Sequence, residues 1–396
     1  MRTILITGPG GSGRTTVAAA TALAAAREGA RTLVLGADRT DTLGAALGVR
    51  TGPEPVTAAP GLTALRPDPD ADFRAALLSL QDRAATALDL LGSARLEDEE
   101  LTPLPGAGEL SLLRALREAA TADAYDLLVL DLPPAAQALA LLALPEELRR
   151  YLRRLLPPER QAARALRPVL GRLAGVPMPA ERLYETAARW DLELAAAEAV
   201  VNDPGTTVRL VAEPGPAGLD AVRDAVTGCA LRGLRVEGVI ANRVLPDDPA
   251  DARLAGLAAQ QRKAVDEWRA ASEVDVVDVV AHLGRDPRGA DDLAALAVPG
   301  AGDAPGPVRW PVRDRLADDG VLVWHISLPG AVRGEVELVR RGDELVVAAG
   351  RFRRVVPLPS VLRRCTVDGA ALREGELTVR FAPDPEPGTA SATARW

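Results

Sequence analysis

A glycine-rich stretch at residues 8–16 constrains the fold more than any other part of this chain. It reads Gly-Pro-Gly-Gly-Ser-Gly-Arg-Thr-Thr, follows an apolar run at residues 3–7 and precedes an alanine-rich run with helical character. Glycine permits the positive φ angles and the close backbone approach that a loop wrapped around an anion needs. A helix that starts directly after the loop adds unpaired N–H groups and a positive dipole end. The stretch therefore predicts a phosphate-binding loop.

The basic residue of this loop departs from the usual pattern, which is glycine, four residues, glycine, lysine and then serine or threonine. Arg14 takes the lysine position, and a planar, forked guanidinium is not equivalent to a compact ammonium group. Lys263 is the only lysine in the chain, so Arg14 also reflects a general preference for arginine. We predict that the bound group is ATP with Mg²⁺, held by Gly8, Gly10, Gly11, Ser12, Gly13, Arg14, Thr15 and Thr16.

Two carboxylates follow apolar runs that are typical of buried strands. Asp131 ends the run at residues 125–130, and Asp38 directly follows the run at residues 32–37. Because the carboxyl ends of parallel strands line one crevice, Asp38, Asp131 and the loop are expected to converge. We predict that Asp131 and the Thr15 hydroxyl hold Mg²⁺, as in phosphoryl-transfer sites. The alternative is that Asp131 only forms a turn at the end of its strand.

The first 300 residues alternate apolar strands with helical segments, which predicts an α/β fold with a doubly wound, mostly parallel sheet. The strands are nearly continuous apolar runs, as in a sheet covered on both faces. A helical subdomain is expected over residues 140–200, which are rich in Leu, Ala and Arg. The predicted strands are residues 3–7, 32–37, 126–130, 208–212, 236–241 and 274–280.

The composition changes after residue 298. Residues 299–319 are rich in proline and glycine and are predicted to be a linker. The following pattern of short β-branched runs predicts a small all-β sandwich over residues 320–396, with a hairpin turn at residues 341–343. The predicted strands of this second domain are residues 321–327, 335–339, 344–348, 353–357 and 376–381.

The net charge and the cysteine content exclude some classes of partner and site. The net charge is −8 and no basic tail is present, which argues against nucleic acid as a partner. No signal peptide and no apolar run of membrane-spanning length is apparent. Cys229 and Cys365 are far apart and lack the spacing of a metal site. We therefore expect a cytoplasmic protein without an intrinsic membrane segment.

Several stretches, taken in chain order, resemble the ArsA-type ATPases, a family that includes arsenite-pump ATPases and the targeting ATPase for tail-anchored membrane proteins. The resemblance covers most of residues 1–298, is weakest between residues 140 and 200, and implies a nucleotide-sandwiched homodimer and a polypeptide client. It also implies that Asn242 recognises adenine and that Asp38 and Arg14 serve catalysis. The stretches that carry it are residues 8–16, 38–43, 104–109, 131–139, 207–211 and 241–246.

The C-terminal region has a resemblance of its own, to the α-crystallin sandwich of small heat-shock proteins. Leu328-Pro329-Gly330-Ala331 and the run Arg353–Pro359 carry it, together with residues 342–345 and 375–379. Some bacterial and plastid ArsA-like proteins have such a domain at this position, so the two resemblances support each other.

Three functional interpretations remain open. The family's loop has two lysines, and here those positions are Pro9 and Arg14, while the second switch at residues 132–136 is mostly apolar. These departures favour a nucleotide-binding protein with weak or absent ATP hydrolysis that acts as a dimeric scaffold. The alternatives are an active ATPase that drives a client-binding cycle, and a chaperone-like protein that acts through residues 320–396.

Overall fold

The computed structural model describes residues 1–90, 94–156, 179–247, 251–270, 276–302 and 306–383. Strands alternate with helices up to residue 295, and from residue 312 the chain is built almost entirely of strands. This order confirms the predicted α/β fold followed by a smaller all-β unit.

A single sheet runs through the α/β unit in the part of the chain that the structure describes. Its spatial order is third, fourth, second, fifth, first, sixth, seventh and eighth strand. All neighbouring strands are parallel except the third and fourth, which form an antiparallel edge pair. In chain order the strands are β1 Arg2–Thr7, β2 Thr32–Gly36, β3 Val56–Ala59, β4 Leu62–Leu65, β5 Leu127–Asp131, β6 Thr206–Ala212, β7 Arg235–Val244 and β8 Val277–Ala281.

Helices cover both faces of this sheet, which confirms the doubly wound arrangement. Successive strand residues such as Ile4 and Leu5 point to opposite faces and enter two separate cores. The helices are α1 Arg14–Arg27, α2 Thr42–Leu47, α3 Pro69–Leu90, α4 Ala107–Thr121, α5 Ala135–Leu155, α6 Pro179–Val201, α7 Pro216–Arg232, α8 Ala252–Ala270 and α9 Gly289–Ala295. None of the helices in the described ranges is both long and apolar enough to cross a membrane.

The predicted helical region at residues 140–200 contains most of α5 and of α6. The two helices are joined by Arg149, whose Nε lies 3.0 Å from Asp191 Oδ1 and whose Nη1 lies 2.5 Å from Glu198 Oε2. Residues 157–178 of the predicted region lie outside the described residues. In the described part, the helical prediction is confirmed.

Two strands and one strand boundary differ from the sequence-based expectation. β3 and β4 were not predicted, because each has only four residues and the alternating pattern is carried by alanine, threonine and a few larger apolar side chains. The strand predicted at residues 274–280 begins at Val277 in the structure and extends to Ala281. Residues 271–275 lie outside the described part of the chain.

The C-terminal unit is a sandwich of two antiparallel sheets, as predicted. One sheet has the spatial order β14-β15-β10-β9 and the other β11-β12-β13. Side chains from both sheets, including Leu338, Val347 and Phe381, fill the core between them. The elements are β9 Val312–Arg315, α10 Leu316–Asp319, β10 Val321–Ser327, β11 Val336–Arg341, β12 Glu344–Ala349, β13 Phe352–Pro357, β14 Cys365–Arg373 and β15 Glu376–Pro383.

Two strands of the sandwich were missed by the sequence analysis. β9 lies within the stretch predicted as a linker, where it pairs antiparallel with β10. β14 contains a register shift between Val367 and Gly369, and this bulge interrupts the alternation that identifies strands. The predicted hairpin turn is present between β11 and β12, with Gly342 at φ 58°.

The sandwich packs on α7 and α5 of the α/β unit through a shared apolar contact. Leu231 of α7 is fully buried and belongs to the sandwich core. Phe352 of β13 packs against that core and also against the main core of the α/β unit. A side chain at Gly228 would lie only 2.9 Å from the Phe352 ring, so the helix and the strand approach closely.

Arg354 provides the polar part of this docking. Its Nε lies 3.2 Å from Glu146 Oε1 on α5, and its Nη1 donates to the Leu231 carbonyl at 3.1 Å. The guanidinium also lies over the ring of Trp310, 5.6 Å from the centroid. Because the side chain is only 15% exposed, loss of these contacts would leave Glu146 partly buried without a close partner from the sandwich.

We expect Arg354→Ala to lower the free energy of unfolding by about 2 kcal/mol, because it removes a partly buried, hydrogen-bonded charge. Arg351→Ala is the matched control, since Arg351 pairs with Asp224 at 2.5 Å across the same junction but is 63% exposed. That change should cost less than about 1 kcal/mol. Urea denaturation of the full chain measures both, and equal losses would contradict this account of the docking.

Candidate functional site

The glycine-rich loop connects β1, in the middle of the sheet, to α1. Gly8 lies so close to β6 that a Cβ atom there would be 1.9 Å from the Val211 carbonyl oxygen. Gly11 and Gly13 have φ angles of 80° and 85°, which side-chain-bearing residues rarely adopt. The buried Ser12 hydroxyl donates to the Pro9 carbonyl at 2.9 Å, which closes the loop on itself.

The start of α1 suits an anion. Gly13 occupies the N-cap position, no side chain caps the helix, and its first turn contains no acidic residue. The first N–H groups of a helix have no partner inside the helix and carry the positive end of the dipole. The loop and the helix start therefore combine backbone donors with a favourable field at one point.

Arg14 does not point freely into this loop. Its Nη1 donates to the Leu132 carbonyl at 2.5 Å, just beyond the end of β5. Burial lowers the pKa of the Arg14 guanidinium from its ordinary value, and the carboxylates of Asp131 and Asp38 act in the opposite direction. The structure thus brings together three residues that the sequence analysis selected.

Asp131 is the buried carboxylate of the site, with 4% of its surface exposed. Burial raises its pKa to about 7, the Thr15 hydroxyl hydrogen bond and Arg14 lower it, and Asp38 raises it further. Hydroxyl and carboxylate oxygens are the ligands that Mg²⁺ prefers. Thr15 and Asp131 are in direct contact and so fit the predicted pair of magnesium ligands.

The segment after Asp131 is fixed to the loop by backbone contacts. The Leu132 N–H donates to the Ile6 carbonyl at 2.9 Å, and the Ala135 N–H donates to the Gly8 carbonyl at 3.1 Å. The Thr7 hydroxyl also donates to the Pro133 carbonyl at 2.7 Å. The side chains of residues 132–135 are apolar, so this segment offers carbonyl groups and no cation.

Asp38 is exposed and lies at the same edge of the sheet. Its Oδ2 accepts a hydrogen bond from the Thr42 hydroxyl at 2.9 Å. Asp41, which the sequence analysis did not assign, caps α2 by accepting the Gly44 N–H at 3.0 Å. The two acids therefore differ in role, since Asp41 holds local structure while Asp38 remains accessible to solvent.

Asn242 lies at the end of β7 and is buried against the loop. Its Nδ2 donates to the Ser12 carbonyl at 2.7 Å. A side chain at Gly13 would lie 2.3 Å from the same nitrogen, so glycine is required there for this contact as well. Recognition of adenine by Asn242 stays a prediction, and the geometry gives this side chain a contact within the loop.

The sequence analysis missed Glu213 and Arg243, which lie at the ends of β6 and β7. Arg243 Nη1 donates to the Gly11 carbonyl at 3.0 Å and lies 2.6 Å from Glu213 Oε1. Their position at the carboxyl ends of two predicted strands was the available signal, because the carboxyl ends of parallel strands meet at the loop. No cluster of three or more potential metal-ligating side chains occurs within the described ranges.

A loop of this form between a central strand and the next helix is characteristic of the P-loop class of folds. A family model described as anion-transporting ATPase matches residues 1–298, and a model for the HSP20-like domain found in ArsA proteins matches residues 319–381. The chain belongs to the ArsA family of anion-transporting ATPases, and it has the HSP20-like C-terminal domain. Both resemblances inferred from the sequence are thereby confirmed.

Related proteins match over nearly their whole length. A protein of Streptomyces coelicolor is 75% identical, with 98% of each chain covered. A protein of Mycobacterium tuberculosis is 34% identical, with 97% of each chain covered. An Aquifex aeolicus protein that is named as an arsenical pump-driving ATPase is 26% identical over 96% of this chain and 99% of its own. These matches thus extend over both units of this chain.

The close approach at Gly8 gives a direct test of the loop geometry. We expect Gly8→Ala to lower the free energy of unfolding by more than about 2 kcal/mol, because the added methyl group would meet a backbone carbonyl that cannot move away. Gly10→Ala is the control, since no atom lies within 4 Å of a Cβ at that position. Thermal unfolding compares the variants, and a stable Gly8→Ala protein would contradict the described packing.

The pKa of Asp131 predicts how stability depends on pH without nucleotide or Mg²⁺. A folded-state pKa of about 7 exceeds the usual 3.8, so the folded protein holds this proton more tightly than the unfolded chain. The free energy of unfolding should therefore fall as pH rises from about 4 to about 7. Asp131→Asn should remove that part of the slope and be the more stable form at pH 8. Urea titrations between pH 5 and 8 test this, and parallel pH profiles would refute it.

Proposed function

We propose that this ArsA-family protein binds ATP with Mg²⁺, hydrolyses it slowly and acts as a dimeric binding module. The observation that carries the proposal is the hydrogen bond from Arg14 to the Leu132 carbonyl, which occupies the guanidinium at the position where the family has a lysine. A cation that is committed to a backbone carbonyl between two carboxylates is poorly placed to neutralise a phosphoryl group.

Binding itself is well supported by the loop. Its backbone turns at Gly11 and Gly13, and the uncapped start of α1 supplies N–H groups for the phosphates. Thr15 and Asp131 would hold Mg²⁺, and a bound Mg²⁺ would supply positive charge to the phosphates. This part of the site needs no cationic side chain, so its capacity to bind is independent of the lysine replacements.

Hydrolysis depends on charge that this site lacks. Stabilising the transferred phosphoryl group by fixed cations is usually the largest catalytic contribution. In the family a loop lysine reaches across the dimer to the partner's phosphates, whereas Pro9 has neither a cation nor an N–H group at that position. We therefore expect turnover to be lower by at least ~100-fold than in a site with both lysines.

Asp38 is the residue we assign to positioning the attacking water. It is exposed at the carboxyl edge of the sheet, acts on Arg14 through its charge and is held by Thr42. Its carboxylate can accept a proton from water, and in the family resemblance it begins the first switch. Slow turnover, where present, should consequently require Asp38.

Dimer formation and a polypeptide client are part of this proposal and rest on family membership. The outer rim of the loop, formed by Gly10 and Gly11, is exposed and therefore accessible to a second protomer. Arsenite as a ligand is not favoured, since Cys229 and Cys365 are buried in different domains. Burial raises the pKa of the Cys229 thiol to about 12, which keeps it from forming the thiolate that binds such ligands.

The proposal is tested by restoring the missing cations. We expect the wild-type chain to bind Mg-ATP in calorimetry and to release phosphate slowly. The double variant Pro9→Lys, Arg14→Lys should release phosphate at least ~10-fold faster, because it returns the charge that stabilises the transition state. Asp38→Asn in the same double variant is the control and should abolish the gain.

Two results would overturn the proposal. Wild-type turnover that equals that of the double variant would show that Arg14 already serves as the catalytic cation. The lack of any thermal stabilisation by millimolar Mg-ATP would exclude nucleotide binding, because a ligand that binds the folded state must raise its stability.

A further inference from the structure

Arg243 has a backbone conformation that is unusual for its side chain. It lies near the end of β7 with φ 58°, and the pairing of β7 with β8 shifts register between Ala241 and Val244. Gln261 of α8 holds the turn in place, since its Nε2 donates to the Arg243 carbonyl at 3.1 Å and its Oε1 accepts the Leu245 N–H at 2.8 Å. A non-glycine residue held in this region by its surroundings often marks a functional position.

The turn directs the Arg243 side chain to the outer rim of the loop. Its Nη1 contacts the Gly11 carbonyl at 3.0 Å and Glu213 Oε1 at 2.6 Å. The side chains of Arg243 and Glu213 are 43% and 49% exposed, so a ligand can reach both of them. The guanidinium is therefore anchored at the loop and open to solvent.

The position of Arg243 matters because the loop itself has few cationic side chains available for a ligand. Arg14 is half-buried and bonded to Leu132, and residue 9 is proline. Arg243 brings a guanidinium into contact with the loop from a different strand. Its bond to Glu213 is an exposed ion pair, which contributes little to stability and is easily exchanged. A polyphosphate has more negative charge and accepts two parallel hydrogen bonds from a guanidinium.

We propose that Arg243 is a nucleotide-binding residue that exchanges Glu213 for the polyphosphate at the outer rim of the loop. This rests on the proposed function and adds to it a cation supplied by the same chain. When no nucleotide is bound, Glu213 keeps the guanidinium at the loop. When nucleotide binds, Glu213 competes with the phosphates for the guanidinium. Nucleotides with more phosphate charge should gain more from Arg243, so it would favour triphosphate over diphosphate.

A purely structural role makes the opposite prediction for Glu213. If the Glu213–Arg243–Gly11 contacts only stiffened the loop, removal of either charged side chain would weaken nucleotide binding. If Glu213 competes with the phosphates, removal of its charge frees Arg243 and leaves binding equal or tighter. The sign of the Glu213→Gln effect therefore separates the two roles.

The experiment is calorimetric titration of the full-length protein with Mg-ATP and with Mg-ADP. We expect Arg243→Ala to weaken Mg-ATP binding at least ~10-fold and Mg-ADP binding less, and Glu213→Gln to leave Mg-ATP binding equal or up to ~5-fold tighter. Arg262→Ala is the matched control, because Arg262 is a similarly exposed arginine on α8 that bonds to the Asp247 carbonyl at 2.7 Å. Its effect should be within about twofold.

A second variant distinguishes a loss of binding from a loss of folding. Arg243→Gln keeps a polar side chain with an N–H donor but loses the charge, so it should fold and still bind Mg-ATP more weakly, with a smaller salt dependence. Unchanged Mg-ATP affinity in Arg243→Gln and Arg243→Ala would overturn this inference alone, as would weakening by Glu213→Gln equal to that by Arg243→Ala. A wild-type chain that binds neither nucleotide would overturn the proposed function together with it.

Discussion

The close backbone packing at Gly8 is the constraint on which the site depends. The loop leaves β1 with no side chain between itself and the Val211 carbonyl, and the Gly8 carbonyl accepts the N–H of Ala135 at the start of α5. Three neighbouring strands are thereby held together at their carboxyl ends. A larger residue at this point would push the loop away from β6, and the contacts of Asn242 and Arg14 could not form together.

Electrostatics in the site follow from the same packing. Because the strand ends converge, a buried carboxylate, an exposed carboxylate and a guanidinium share a small volume around the start of α1. Burial favours the neutral form of Asp131, while Arg14 and the Thr15 hydroxyl favour the charged form. If Mg²⁺ binds here as proposed, it would favour the charged form, and its binding would release the proton of Asp131 near neutral pH.

Much of the fold was predictable from the sequence because the signals were local. A few consecutive residues are enough to predict the apolar strands, the loop with the glycines at residues 8–13 and the turn at Gly342. Strands β3 and β4 were not predicted, since each has only four residues and acquires its conformation from pairing. β14 could not be recognised in the sequence because of its bulge, whose conformation depends on the partner strand β15.

The sequence indicated several candidate site residues but none of the contacts between them. The motif identifies Arg14, Thr15 and Asp131, but no pattern in the sequence indicates that Arg14 donates to the Leu132 carbonyl. Arg243 was missed for a related reason. Its role depends on a positive φ angle and on a glutamine that follows 18 positions later in the chain, and neither is visible in a strand-like run of residues 235–244.

The contribution of Leu231 to the core of the sandwich has a consequence for how the chain can be divided. Separating the two units would expose the apolar face of α7 to solvent. It would also remove Leu231 from the core of the sandwich. Neither unit would then keep its native packing when produced alone. The two family models end and begin at residues 298 and 319, yet the apolar core of the second unit is completed by a side chain of the first.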